Sequence, residues 1–170
     1  MNGSNFELAL PENVNFLFDN KQLDTLSFLC VLSCFKKKQI GLDEFIFYYA
    51  LVVSCINLKI DNTTVIFGIK NAKYEFNALF LYMQDNIQLI LLLLSNNDLI
   101  TVSFETVDDY YKQLLIAITE QGRDIVLKLK NMYFHDLEDR AKYIIKNVKN
   151  TKSNRNKLFR GEYYDADGIE

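Results

Sequence analysis

Apolar side chains recur at helical spacing in KQLDTLSFLCVLSCF, residues 21–35, where Leu23, Leu26, Leu29, Cys30, Leu32 and Phe35 fall on neighbouring turns. The spacing predicts a helix from about Lys21 to Phe35, with Asn20 as its N-cap. Phe28 and Val31 are apolar too, and a helix apolar on most faces is central to its fold or packs on a partner as well as its own core. Lys36, Lys37 and Lys38 then suit the negative end of a helix dipole and Gly41 suits a turn, so the charge run reads as a solvated helix end. A second helix is predicted from Asp43, a good N-cap, through EFIFYYALVVS to about Ser54.

Residues 56–76 break the helical period. Thr64–Ile69 is β-branched and apolar enough for a strand, with Gly68 as a bulge position, but its pairing partner is not legible. A helical pattern returns near Asn77 and is expected to pause at Asp85, which can cap a second segment, DNIQLILLLLSNND. The leucine-rich centre, apolar on almost every side, is expected to be the core helix. Leu99 to Phe104 and Leu114 to Ile118 read as two strands around a turn-rich stretch from Glu105 to Lys112, after which Thr119 can cap a helix.

Beyond that cap, residues 121–134 read as one helix. A further helix from about Asp136 carries Leu137, Ala141, Ile144, Ile145 and Val148 on one stripe, with Arg140, Lys142, Lys146 and Lys149 on its other faces. Residues 151–170 are poor in apolar side chains and read as a flexible polar tail. The predicted class is therefore α+β, mainly helical. Residues 1–150 form a winged-helix-like domain with a β-hairpin wing and extra C-terminal helices.

Charge sharpens this picture. Residues 1–120 carry 8 basic and 14 acidic side chains, residues 121–160 carry 11 basic and 4 acidic, and residues 161–170 carry 4 acidic. The net charge of −3 thus conceals an acidic body, a basic C-terminal region and an acidic tip. A DNA-reading wing should carry cations, because phosphate contact supplies most of the affinity. Here the expected wing holds Glu105, Asp108 and Asp109 against Lys112, and DNIQLILLLLSNND holds no cation. The wing tip, Asp108, Asp109, Tyr110 and Tyr111, is accordingly expected to face protein. Lys149, Lys152, Arg155, Lys157 and Arg160 are the candidates for non-specific DNA contact.

Chemistry is sparse. Six glycines stand singly, so none forms a phosphate-binding loop, and there is no GxSxG, HExxH or dinucleotide fingerprint. Cys30, Cys34 and Cys55 sit in apolar stretches and read as reduced core residues, not zinc ligands. His135 is the only histidine, and its neighbour Asp136 does not share its helix face, which leaves a helix-boundary role. No catalytic residue, cofactor, metal or small-molecule substrate is expected. The opening residues lack the positive region and apolar core of a signal peptide, and ILLLL at residues 90–94 is too short to span a bilayer, so a soluble, cytoplasmic protein is expected.

Three segments carry a resemblance: LDTLSFLCVLSCFKKKQIGLDEFIFYYALVVS, QLILLLLSNNDLITV and ITEQGRDIV. Together they resemble the small middle component of bacterial three-component systems built around an ABC- or SMC-type ATPase, including the Lamassu anti-phage defence systems. The likeness covers about residues 22–135. The resemblance implies a non-enzymatic scaffold subunit that joins an SMC-like ATPase to an effector nuclease and restrains the effector until foreign phage or plasmid DNA is engaged. DNA would be met non-specifically through the complex. Asp98, Leu99, Ile100, Thr119, Glu120 and Gly122 are also similar to the wing-and-exit segment of winged-helix regulators, so the alternative expectation is a dimeric DNA-binding transcription regulator.

Overall fold

A helix with no polar side must be enclosed by other elements, and the chain solves this around its second helix. A computed structural model of the chain describes residues 21–61, 64–69, 72–106 and 112–160. Helix α1 spans Lys21–Ser33, a two-residue strand β1 spans Ile40–Gly41, and helix α2 spans Leu42–Ser54. Phe45 through Val52 are buried without interruption, and so are Ser27 through Leu32 of α1. Rings from both helices interlock, with Phe28 and Phe45 centroids 4.3 Å apart and Phe35 edge-on to Tyr48 at 5.6 Å. Such pairings add to the burial of large apolar area and fix the crossing of the two helices.

Strands β2 (Cys55–Asp61) and β3 (Thr64–Ile69) form an antiparallel hairpin directly after α2. This supplies the partner for Thr64–Ile69 that periodicity left open. Cys55 pairs with Ile69 and Asn57 with Gly68, so the bulge lies in β2, opposite Gly68. Helix α3 then runs unbroken from Ala72 to Asn96, passing through Asp85 without the expected pause.

Strands β4 (Ile100–Thr106) and β5 (Lys112–Ile118) form the wing, and β5 lies between β4 and β1 in a three-stranded antiparallel sheet. Two helices with a short strand between them, a third helix, and a hairpin whose second strand joins that first strand make the winged-helix-like core expected from the pattern. The β2–β3 hairpin is inserted between its second and third helices. Pairing extends to Thr106 opposite Lys112, so the wing strands take in both ends of the stretch expected to be a turn.

The exit of the wing is clamped to the end of α3. Asp98 takes a left-handed conformation at φ 55°, and the Leu99 amide donates back to the Leu94 carbonyl at 2.9 Å. The Thr119 amide donates to the Leu99 carbonyl at 3.1 Å, and the Thr119 hydroxyl donates to the Asp98 carbonyl at 2.6 Å. The same hydroxyl oxygen accepts from the Gly122 amide at 3.0 Å, making Thr119 the N-cap of helix α4 (Glu120–Lys128). Gly122 lies so close that a Cβ there would overlap the Leu99 carbonyl and sit 2.8 Å from Ile118 Cγ1.

Two helices complete the enclosure of α2. Helix α5 (Met132–Asn147) begins earlier than the pattern suggests, because Asn131 is its N-cap and accepts from the Phe134 amide at 3.0 Å. Its buried stripe is Phe134, Leu137, Ala141 and Ile144, with Val148 just beyond. Tyr48 donates to the Val148 carbonyl at 2.9 Å, and Arg140 donates to the Val52 carbonyl at 3.3 Å, so both ends of the α2–α5 contact are tied by hydrogen bonds. Helix α6 (Lys152–Arg160) occupies ground expected to be tail. The Thr151 hydroxyl accepts from the Asn154 amide at 3.2 Å, capping it.

Burial holds the Cys30 thiol up at about 12 and the Cys34 thiol up at about 11, against an ordinary 9.0, and the Glu138 carboxylate adds to both. Both are free thiols on the α1–α5 seam: Cys30 Sγ lies 3.8 Å from the Phe134 carbonyl and Cys34 Sγ 3.9 Å from that of Glu138.

Gly122→Ala is expected to destabilise the fold by about 2 kcal/mol or more, because the obstacle is main chain and cannot move aside; thermal melting checks this, and an unchanged Tm would refute the clamp. For the thiols, the folded state keeps its protons longer than the unfolded one, so their contribution is intact below about pH 9 and fades as pH rises toward 12. Cys30→Ala with Cys34→Ala is therefore expected to lose less stability than the parent between about pH 8 and about pH 10.5 in urea titrations.

Candidate functional site

Two surfaces stand out, and they arise from different helices. The first is α3. Met83, Ile87, Ile90 and Leu94 are buried, which uses one face of the helix in the core. The other side keeps Leu81 at 60%, Leu89 at 37%, Leu92 at 56% and Leu93 at 39% exposure. The leucine-rich helix thus lies in the core as expected, but the described elements cover it on one face only. Asn77–Asn96 carries a single charge, Asp85, and has the length and composition of a membrane span, with a mean hydropathy of 1.4. Its packed face nevertheless holds it in the core of this fold.

Next to Leu93 a cavity of about 310 Å³ opens between α1 and the end of α3, lined by Lys21, Thr25, Leu26, Leu94 and Leu99 among others. A second, tighter cleft continues along the same seam past Asp24, Tyr82, Asn86 and Leu89. Tyr82 closes part of it by donating to Asp24 Oδ2 at 2.9 Å. Leu89 and Leu93 border these clefts, and with Leu81 and Leu92 they set several exposed apolar side chains on one side of a single helix, beyond the scattered single apolar residues normal on a protein exterior.

The second surface is basic. Lys149 is exposed in the link after α5, and Lys152 is exposed at the start of α6. Arg155 lies in the same helix but turns inward. Its guanidinium stacks 5.2 Å above the Phe47 ring, donates to Asn150 Oδ1 at 2.6 Å and donates to the Asp43 carbonyl at 3.3 Å. Three engagements at once make it a strut between α6 and α2. Arg160 ends α6, beside Phe159, whose ring meets Phe80 edge-on at 5.3 Å and whose carbonyl accepts from Asn77 at 3.3 Å. Lys157 belongs to the same helix.

The wing tip, Asp108, Asp109, Tyr110 and Tyr111, lies outside the described residues. On the wing strands Phe104 and Glu105 are exposed. His135 is solvent-facing in the first turn of α5 and pairs with Asp139 at 3.3 Å, one turn along, not with Asp136. Among the described residues no three His, Cys, Asp or Glu side chains converge as metal ligands.

Fold and surfaces together define a winged-helix-like α+β unit with an apolar helix face and a separate basic end. Compared with protein-family models, with curated proteins and with solved structures, the chain matches none.

Because the half-buried Arg155 ties α6 to α2, Arg155→Ala is expected to cost roughly 1–2 kcal/mol of stability through the lost cation–π and hydrogen-bond contacts. Its effect should appear in thermal melting and in protease nicking near α6. A melting temperature equal to that of the parent would show the guanidinium to be dispensable.

Proposed function

We propose that this protein is a non-catalytic, cytoplasmic scaffold subunit of an SMC-like ATPase defence complex, joining the ATPase to an effector nuclease and restraining it until foreign DNA is met. The observation that supports this reading most directly is the outward face of α3, where Leu81, Leu89, Leu92 and Leu93 stand exposed beside an apolar seam. Exposed apolar area on this scale favours a partner, since covering it removes hydrocarbon from water at about 25 cal/mol per Å². The helix that precedes the wing offers no cation between Asn77 and Asn96, so it is poorly suited to lie against a phosphate backbone. Its leucines suit a protein groove, in the manner of a helix laid against an apolar surface. The resemblance of the α1–α2 and wing segments to the small middle component of Lamassu-like systems supplies the kind of partner.

The same face also suits a second copy of the chain, as in a dimeric winged-helix regulator, and one experiment separates the two. A tagged chain purified from its native host is expected to bring down a large ATPase and an effector, identified by mass spectrometry. Leu81→Ser with Leu92→Ser, at the two most exposed of these positions, should abolish that recovery while leaving the fold intact. A stable homodimer without an ATPase, or sedimentation with membranes, would overturn the proposal.

A further inference from the structure

The lysine-rich turn at residues 36–38 and the basic region after α5 are more than a hundred residues apart in sequence, yet the fold brings them to the same end of α2. Lys37 Nζ pairs with both carboxylate oxygens of Glu44, at 2.9 and 3.0 Å. Arg155 reaches the carbonyl of the preceding residue, Asp43, at 3.3 Å. Tyr48, one turn further along α2, donates to the Val148 carbonyl at 2.9 Å. Burial holds the Tyr48 phenol above its ordinary range. The first turn and a half of α2 is therefore in contact with Lys37 from the preceding turn and with Val148 and Arg155 from the C-terminal region.

We infer that Lys36, Lys38, Lys149 and Lys152 form one site for the phosphate backbone of duplex DNA, assembled around the N-terminal end of α2. All four lysines are exposed, and none makes an ion pair with a described residue. Lys37 and Arg155 hold the two halves together: one neutralises Glu44, and the other anchors α6 to Phe47 and Asp43. With Glu44 paired, its repulsion of an approaching phosphate is reduced. A run of three lysines alone is a solvated helix end, but two exposed pairs brought to the same end of one helix supply the several cations that counterion release from a polyanion requires.

Aromatic side chains decide which polyanion fits. Single-stranded nucleic acid is gripped by exposed rings on which bases stack. The rings at this end of α2, Phe35, Phe45, Phe47 and Tyr48, are all buried, so no described ring there is offered to a base. The same inward orientation leaves no apolar anchor for a lipid surface. A duplex backbone, with one charge per about 1.7 Å of axis, needs only spaced cations. This site deepens the proposed function by supplying the contact to foreign DNA, and it rests on that reading for its biological role. Its test needs neither ATPase nor effector, so the two fail separately.

Purified full-length chain is titrated with a labelled duplex of about 20 base pairs over a range of salt concentrations. Lys36→Ala with Lys38→Ala and, separately, Lys149→Ala with Lys152→Ala are each expected to weaken binding about tenfold and to lower the slope of log affinity against log salt by about 2. Lys128→Ala with Lys130→Ala, at the end of α4, should leave both quantities unchanged. The site is overturned if either of the first two pairs has no effect, or if the α4 pair weakens binding equally. It is also overturned if the same-sequence single strand, a double-stranded RNA or phosphatidylserine vesicles bind more tightly than the duplex.

Discussion

Complete enclosure of α2 is the constraint from which the rest of the architecture follows. Eight consecutive residues, Phe45 through Val52, have almost no contact with water, and a helix can be buried on all sides only if neighbours arrive from every direction. The winged-helix-like core supplies α1, α3 and the sheet, and α5 packs on both α2 and α1. The backbone carbonyls and the tyrosine hydroxyl drawn inside are answered by Tyr48 to Val148 and by Arg140 to Val52. Leaving those groups unpaired would cost about 1–3 kcal/mol each. Helix α5 is thus part of the core and not an addition to it.

How much of this was legible depended on whether a signal was local. Helices α1, α2 and α5, both wing strands and the Thr119 cap could be read because each is set by side-chain period or by a cap within a few residues. Strand β1 could not, since two residues, Ile40 and Gly41, carry no period and become a strand only when β5 arrives from more than seventy positions away. Strand β2 was legible in principle: Ile56, Leu58 and Ile60 alternate with Asn57, Lys59 and Asp61, a two-residue period overlooked beside the bulge. Asn131 is an ordinary N-cap hidden inside what reads as one long polar helix, and Thr151 does the same for α6.

Surface roles were less legible than elements, for a tertiary reason. Arg155 has the composition of a DNA contact, but Phe47, Asn150 and Asp43 surround it, and only folding brings those groups together. Conversely, the lysines at 36–38 look like a simple helix terminus until residues 148–155 are placed beside them. The leucine-rich helix misleads in the same way. Composition alone suggests the centre of a core, whereas the structure buries one stripe and leaves Leu81 and Leu92 outside.

Charge and exposed apolar area are consequently carried by different residues. In a helix-turn-helix protein the helix laid in the major groove must bring cations or polar side chains to the bases. Between Asn77 and Asn96, α3 brings leucines and one aspartate instead, while the lysines gather where α2 begins and α6 docks. On the proposed function, a protein laid along α3 and a duplex at the start of α2 would meet different residues. The two surfaces are joined through α2, packed on α3 along one side and held at its first turn by Lys37 and Arg155, and directly by α6, whose Phe159 ring meets Phe80 of α3.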